Sequence, residues 1–272
     1  MMLELTSWGE TAYNHATESD NKIHSDEVAK RYGFRGGLVP GVSVYAYLVH
    51  PAVVAWGIDW LGRGAASVLL RKPLYDGSAF RVETKPDGPQ AYRGEVIDPE
   101  GVVCADGCVS LPETPTEAPA ARRGDAPVPA YDARPEATSA TLKLLRERGM
   151  GSLRMEWPQA GEPDRYLRDL DGMPELIRLD RGGFANPAFT IGLANWILKA
   201  NVRLGPWIHA ESRVQNHAPI PRGSALAIES QVTDLFERGG HEFVDLDVTV
   251  FLEPDTPAMS AHHRAIYKLR SP

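Results

Sequence analysis

One short sequence pattern occurs twice in this chain, and the repeat constrains the fold more than any other feature. Residues 73–79 and residues 219–225 share the pattern P-[LI]-x-x-G-S-A, at an offset of 219 − 73 = 146 residues. The same offset carries Gly41, which begins one apolar segment, onto Pro187, which begins another. A single register that aligns both a turn and a helix start predicts two copies of one structural module.

Each copy is predicted to contain an apolar helix followed by four strands. In the first copy the helix covers 41–56 and the strands cover 65–72, 79–86, 91–98 and 102–111. In the second copy the helix covers 187–202 and the strands lie near 207–217, 225–236, 242–252 and 259–269. Both helices are apolar on most of their surface, as buried helices are, and the strands alternate partly, which is typical of a sheet with one covered face. The predicted fold class is α+β: a double hot-dog, in which two central helices are each wrapped by a curved antiparallel sheet.

The two copies are separated by a segment rich in proline. Six prolines lie between Pro112 and Pro135, and proline disfavours both helix and sheet. The predicted organisation is therefore an N-terminal module over 1–111, a Pro-rich linker over 112–150 and a C-terminal module over 151–272. Two modules that stand side by side would form a pseudo-dimer within one chain.

Composition narrows the class of function. The net charge of −7 argues against nucleic-acid binding, which depends on clustered Lys and Arg. The chain has no run of 18 apolar residues and no secretory signal, so we expect a cytoplasmic protein with no membrane segment. Cys104 and Cys108 fall in one strand, about 13 Å apart, too far for a disulfide, and we expect two packed, reduced thiols.

The residues with the clearest chemistry lie just before the first helix. Asp20 and His24 stand four residues apart in a predicted loop, a spacing that lets a carboxylate and an imidazole share one water molecule in acid–base catalysis. Gly41 opens the helix, where an unpaired backbone N–H and the helix dipole can polarise a carbonyl oxygen. These three residues are the predicted catalytic group.

The same segment resembles the hydratase motif of the MaoC-like, (R)-specific enoyl-CoA hydratase family. The resemblance rests on the run Asp20-Asn21-Lys22-Ile23-His24-x-Asp26, followed by Ala29, Gly33-Phe34, Gly37-Leu38-Val39 and Gly41. It implies a hot-dog fold, often fused in tandem, with Asp20 and His24 as the acid–base pair and Gly41 as the oxyanion donor. It also implies an acyl thioester of CoA or a carrier protein as substrate, no cofactor, and a place in fatty acid or polyketide metabolism.

The motif departs from the usual family pattern at three positions. Asp20 lies four residues before His24 where the family has five, Lys22 replaces a proline, and Pro40 replaces a histidine. The second module lacks the site altogether, because Pro187 stands opposite Gly41 and proline has no N–H to donate. Because proline is tolerated at this equivalent helix start, Gly41→Pro is expected to fold while losing the N–H donor.

The predicted function is a hydratase or dehydratase that acts on an α,β-unsaturated or 3-hydroxy acyl thioester. Asn21, Arg71 and Lys72 are the predicted substrate-binding residues, the two basic ones as contacts for phosphate groups. An acyl thioesterase and a non-catalytic acyl-binding or assembly subunit are the alternatives. Three histidines of the second half, His209, His262 and His263, lack the spacing of metal ligands, so no metal site is predicted. We expect a homodimer of pseudo-dimeric chains that binds neither nucleic acid nor membranes.

Overall fold

The computed structural model describes residues 7–122, 126–158, 165–181 and 183–270. The helices are α1 (Asp26–Arg31), α2 (Gly41–Arg63), α3 (Ser139–Arg148) and α4 (Pro187–Asn201). The strands of the first half are β1 (Trp8–Thr11), β2 (Ala65–Leu70), β3 (Ala79–Pro86), β4 (Ala91–Ile97) and β5 (Val103–Ser110). Those of the second half are β6 (Leu153–Trp157), β7 (Ile208–Asn216), β8 (Ser224–Arg238), β9 (His241–Leu252) and β10 (Thr256–Lys268).

The ten strands form one antiparallel sheet in the order β1-β3-β4-β5-β2-β7-β10-β9-β8-β6. The order is symmetric about the β2–β7 pair, where the first module meets the second, with Ala65 opposite Gln215 and Leu69 opposite Glu211. The long helices α2 and α4 pack on the sheet and against each other. The predicted double hot-dog fold is confirmed, and the two modules are joined by backbone pairing in addition to packing.

The repeat predicted from the sequence is visible in the backbone pairing. Leu38 forms an isolated bridge with Tyr75, and Phe184 forms the same kind of bridge with Pro221, 146 residues further on in both cases. Two strands were not predicted, β1 and β6, and they occupy equivalent places at the two edges of the sheet. The structural repeat therefore extends upstream of the helices.

Helix α2 begins at Gly41 as predicted and continues beyond the predicted end at residue 56. It is broken at Gly57, whose φ of 53° is a conformation that glycine adopts most easily. After this break the chain turns back into helix and buries Trp60 and Leu61. By length and composition α2 could cross a membrane, but 67% of its apolar stretch is buried within the protein, as in the core helix of a globular fold.

The range predicted as a linker contains α3 at its C-terminal end. No proline follows Pro135 in this stretch, and Thr138 caps the helix by accepting a hydrogen bond from the N–H of Thr141 at 3.1 Å. Leu142 is fully buried where α3 packs against β8. The cysteines also differ from expectation: both are free, but only Cys104 is buried, because Cys108 lies on the exposed face of β5.

Candidate active site

A cavity of about 1010 Å³ lies at the N-terminus of α2, between the two modules. All six residues predicted for catalysis or substrate binding line it: Asp20, Asn21, His24, Gly41, Arg71 and Lys72. The second module contributes further polar side chains, Asn195 and Lys199 from α4 and His209 from β7. The volume is within the range of sites that enclose small organic ligands. The structure therefore gathers the predicted residues around one space.

The loop that carries His24 is held tightly at its backbone. The Asn14 side chain donates a hydrogen bond to the carbonyl of His24 at 2.9 Å, and the N–H of Leu38 donates to the carbonyl of Ile23 at 3.2 Å. Gly37 passes so close that a Cβ at this position would collide with the His24 carbonyl. The glycine of the motif therefore serves the close approach of two backbone segments.

The His24 ring is partly buried and has a defined tautomer. Its Nδ1 lies 2.7 Å from the carbonyl oxygen of Leu38, which can only accept, so Nδ1 carries the proton. Its Nε2 therefore has the lone pair and lies 3.3 Å from the side-chain nitrogen of Asn21. Burial lowers the pKa of His24 below its usual value, and the Leu38 carbonyl only partly opposes this. His24 is thus a neutral imidazole at pH 7, the form that can accept a proton.

The Asn21 side chain is fully occupied by contacts within the protein. Its nitrogen donates to the Trp207 carbonyl at 2.9 Å and approaches His24 Nε2, while its oxygen accepts from the N–H groups of Trp207 and Ile23 at 3.2 and 3.4 Å. An amide of this kind can make four hydrogen bonds, and these contacts use all of them. The structure therefore gives Asn21 a positioning role, in place of the substrate contact predicted from the sequence.

Asp20 lines the cavity but points its carboxylate towards α4. Its Oδ2 lies 2.5 Å from Nζ of Lys199, and the side chain is 61% exposed. The hydrogen bond and the charge of Lys199 lower the pKa of Asp20, so the group is ionised at neutral pH. Among the contacts of the described residues, Asp20 forms no hydrogen bond with His24. The predicted pair shares a cavity, and the carboxylate is held by a lysine that the sequence did not identify.

Gly41 begins α2 as predicted, so its N–H belongs to the unpaired donors of the first turn. Within the described ranges this N–H has no hydrogen-bond acceptor. A Cβ at Gly41 would lie 2.5 Å from Cδ1 of Leu70 and 2.9 Å from Cβ of His209. Proline also carries a Cβ, so the expectation that Gly41→Pro folds normally is wrong. The position needs glycine because two neighbouring side chains are packed against it.

Arg71 and Lys72 lie together on the cavity wall after β2. The Arg71 guanidinium is paired with Asp106 through two hydrogen bonds, one of them 3.1 Å long. This carboxylate raises the pKa of Arg71 and neutralises much of its charge. Lys72 shows no corresponding ion pair among the described residues. Its charge is therefore more available to a phosphate group than that of Arg71.

The equivalent region of the second module is closed. At the start of α4, around Pro187, the described residues leave a cavity of only about 10 Å³. Trp60 and Leu61, from the part of α2 beyond the break at Gly57, line this remnant and fill the region. Asn186 caps α4 by accepting a hydrogen bond from the N–H of Phe189 at 3.0 Å. The second module thus keeps the helix and has neither the donor nor the space.

A buried chain of polar groups reaches the cavity from the second module, and sequence analysis missed it. His209 Nε2 lies 2.8 Å from Ser212 Oγ, and Ser212 Oγ lies 2.8 Å from His263 Nδ1. His263 Nε2 lies 3.2 Å from Oδ1 of Asn195. The neighbouring His262 points to the opposite face of β10 and contacts Asp247 at 2.9 Å. The only sequence signal was the pair of adjacent histidines, whose partners are set by strand register.

Comparison with known proteins identifies the fold and not a particular protein. No protein-family model matches the chain, and no curated protein matches its sequence. A protein of Mycobacterium tuberculosis with a double hotdog fold, described as essential for bacterial survival during infection, is similar with a TM-score of 0.54 at 16% identity, over 96% of this chain and 95% of that one. A putative MaoC domain protein dehydratase from Chloroflexus aurantiacus is similar with a TM-score of 0.54 at 8% identity, over 97% and 95%. The dehydratase domain of RzxB from Pseudomonas fluorescens gives a TM-score of 0.52 at 13% identity, over 85% and 86%.

The chain has the double hot-dog fold. One of the solved proteins that share this fold is described as a putative MaoC domain protein dehydratase.

Proposed function

We propose that this protein is a hydratase or dehydratase for α,β-unsaturated or 3-hydroxy acyl thioesters. The observation that carries the proposal is the placement of a neutral His24, with its lone pair on Nε2, in the same cavity as the unpaired N–H of Gly41. The first group can move a proton, and the second can stabilise negative charge on a thioester oxygen. Both are supplied by the segment that resembles the hydratase motif.

In the proposed hydration a water molecule adds its oxygen to C3 of the enoyl thioester while His24 Nε2, which exchanges its 3.3 Å contact with Asn21 for one with the water, takes one of the water's protons. The electron pair of the C2–C3 double bond moves towards the thioester carbonyl and forms an enolate. The N–H of Gly41 and the dipole of α2 stabilise the enolate oxygen. His24 then returns the proton to C2, which regenerates the neutral ring and leaves a 3-hydroxyacyl thioester. Dehydration follows the same steps in reverse.

Asp20 is proposed as the group that orients the reacting water, and Lys199 determines when it is available. The carboxylate is ionised and lines the cavity, as a group that orients water must be. It would have to exchange its contact with Lys199 for one with the water that His24 activates. Substrate phosphates that attract Lys199 would favour this exchange, because they offer the lysine another anion.

The rim of the cavity suits an anionic carrier. Lys72 and Arg71 lie on one wall and Lys199 on another, so a phosphate-bearing arm of CoA or a carrier protein would meet cations from both modules. This arrangement supports the acyl thioester class and leaves CoA and carrier protein as alternatives. Location in the cytoplasm and assembly into a homodimer are further parts of the proposal.

The direct test is to mix the purified protein with crotonyl-CoA and follow the loss of the enoyl absorbance, with a thiol reagent present in a parallel sample. The proposal expects hydration without thiol release. In His24→Asn the new amide can still donate to the Leu38 carbonyl, but the Nε2 base is gone, so hydration should fall by roughly 10²–10⁴-fold. An unchanged thermal melt would show that the loss is chemical. Thiol release would favour the thioesterase alternative, and binding without turnover would favour the non-catalytic subunit.

A further inference from the structure

His209 belongs to the second module, yet it lies against the first residue of the first module's long helix. A Cβ built on Gly41 would be 2.9 Å from Cβ of His209 and 3.1 Å from its Nδ1. The side chain is only 5% exposed and lines the cavity. The imidazole of one module therefore meets the oxyanion donor of the other.

The polar chain behind His209 determines which of its nitrogens carries the proton. Asn195 Oδ1 can only accept, so His263 donates from Nε2 and its Nδ1 has the lone pair. The Ser212 hydroxyl donates to that lone pair and accepts from His209 Nε2–H. The lone pair of His209 is therefore on Nδ1, the ring nitrogen that lies 3.1 Å from a Cβ built on Gly41. Ser212 is held at the centre of the chain because it stands opposite His263 in the β7–β10 pairing.

Nδ1 of His209 is a buried acceptor with no hydrogen-bond partner among the described residues. A buried polar atom of this kind is costly, and native structures usually satisfy it with protein, water or ligand. The ring is also held neutral, because burial lowers the pKa of His209 to about 4 while the backbone of Glu211 acts weakly in the opposite direction. The start of α2 thus presents a hydrogen-bond donor, Gly41 N–H, and a neutral acceptor, His209 Nδ1, side by side.

We propose that His209 Nδ1 accepts a hydrogen bond from the oxygen bonded to C3 of the acyl chain. This oxygen belongs to the attacking water in hydration and to the hydroxyl group in dehydration. The inference rests on the proposed function and adds a specificity: the site distinguishes 3-hydroxyacyl thioesters from unsubstituted ones by a contact from the second module. A donor–acceptor pair at the start of α2 is complementary to a substrate that carries a carbonyl oxygen and a hydroxyl group close together.

The experiment compares the equilibrium binding of 3-hydroxybutyryl-CoA and butyryl-CoA, in a His24→Asn background that prevents turnover. The parent protein is expected to bind the hydroxylated ligand about 3–10-fold more tightly, the usual worth of one hydrogen bond. His209→Gln places its amide near the former Nε2, which keeps the contact with Ser212 and removes the acceptor near Gly41. It should abolish the preference while leaving butyryl-CoA binding unchanged. His209→Asn, whose oxygen can occupy the place of Nδ1, should retain most of the preference.

Two further variants keep the test decisive if His209→Gln folds poorly. Ser212→Ala removes the hydroxyl that fixes the tautomer of His209, so it should weaken the preference for the hydroxylated ligand in part. His262→Gln changes the adjacent histidine on the outer face of the sheet and should leave the preference intact. A folded His209→Gln that still prefers the hydroxylated ligand, or a parent protein with no preference, would overturn the inference.

The same data separate this inference from the proposed function. Suppose that the protein with His24 unchanged fails to hydrate crotonyl-CoA, while the preference for the hydroxylated ligand still depends on His209. Then only the hydratase proposal is wrong. If the protein hydrates crotonyl-CoA at the same rate with and without the His209 acceptor and shows no ligand preference, then only the His209 inference is wrong. Agreement of both arms, with a fall of about tenfold in kcat for His209→Gln, supports the two together.

Discussion

Asn21 and Trp207 are joined by two hydrogen bonds between one side-chain amide and one residue's backbone. The amide nitrogen donates to the Trp207 carbonyl at 2.9 Å, and the Trp207 N–H donates to the amide oxygen at 3.2 Å. The two residues are 186 positions apart and belong to different modules. The loop that carries His24 is therefore fixed directly to the residue that precedes β7, the strand that carries His209.

Replacing Asn21 with Asp tests this connection, because the shape is kept while both N–H donors are lost. A carboxylate would face the Trp207 carbonyl in a buried position, so we expect a loss of about 2–4 kcal/mol in the free energy of unfolding. Hydration should fall as well, because His24 loses its neighbour. Urea denaturation and the hydration assay measure the two effects. Lys22→Ala in the same loop is the control and should change stability by less than about 0.5 kcal/mol.

The ion pair between Asp20 and Lys199 can be examined by removing each charge in turn. If Asp20 orients the reacting water, Asp20→Asn should reduce kcat by roughly 10²-fold, whereas Lys199→Met should mainly raise KM for the CoA thioester. Because the pair is largely exposed, both variants should keep their thermal melts within a degree or two. Equal and small effects of the two substitutions on kcat would mean that Asp20 only anchors the lysine.

Two glycines that line the cavity should respond to alanine in opposite directions. At Gly41 the new methyl group would press on Leu70 and His209, so Gly41→Ala should lower the free energy of unfolding by about 1–3 kcal/mol and reduce hydration. At Gly192, inside α4, a Cβ meets no atom within 4 Å. Gly192→Ala should therefore stabilise the protein by up to about 1 kcal/mol, the helix propensity difference. Denaturation curves that shift in the same direction would contradict the packing described at Gly41.

Stability should fall in mild acid because of buried neutral histidines. Burial lowers the pKa of both His50 and His209 to about 4, while histidine in an unfolded chain titrates near 6.5. Between these values the unfolded chain binds more protons, so the free energy of unfolding decreases as the pH decreases. Each group contributes up to about 1.4 kcal/mol per pH unit. Urea denaturation at pH 7, 6 and 5 should show this slope, and His209→Gln should make it smaller by about one histidine's share.

The repeat made the fold predictable, whereas β1, β6 and α3 were not predicted because they lack a local sequence signal. The offset between Gly41 and Pro187 located both central helices, and the predicted strand ranges lie within a few residues of those observed. Strands β1 and β6 are four and five residues long and lie at the sheet edges, where periodicity has too few residues to show. Helix α3 follows the Pro-rich stretch directly, so its residues were predicted to be part of the linker.

The first module's part of the site was predictable from the motif and from the basic pair Arg71 and Lys72, whereas the second module's part was not. His24 and Gly41 fall within the motif and face the same cavity. Lys199, His209 and Ser212 come from the other half of the chain: Lys199 lies on α4, and the register of β7 against β10 places Ser212 opposite His263 only in the assembled sheet. The packing of Leu70 on Gly41 was likewise invisible, so a substitution that seemed tolerable at a helix start is a steric conflict in the protein.

The closure of the second module's cavity by Trp60 and Leu61 has a consequence for stoichiometry. A chain with two related modules offers two places where a thioester could bind, yet among the described residues only the cavity at α2 is open, and it is built from both halves. A titration should therefore saturate at one ligand per chain, with a simple hyperbolic curve for each polypeptide. The second half acts as a wall of the site at α2, so we expect either half alone to lack the proposed activity.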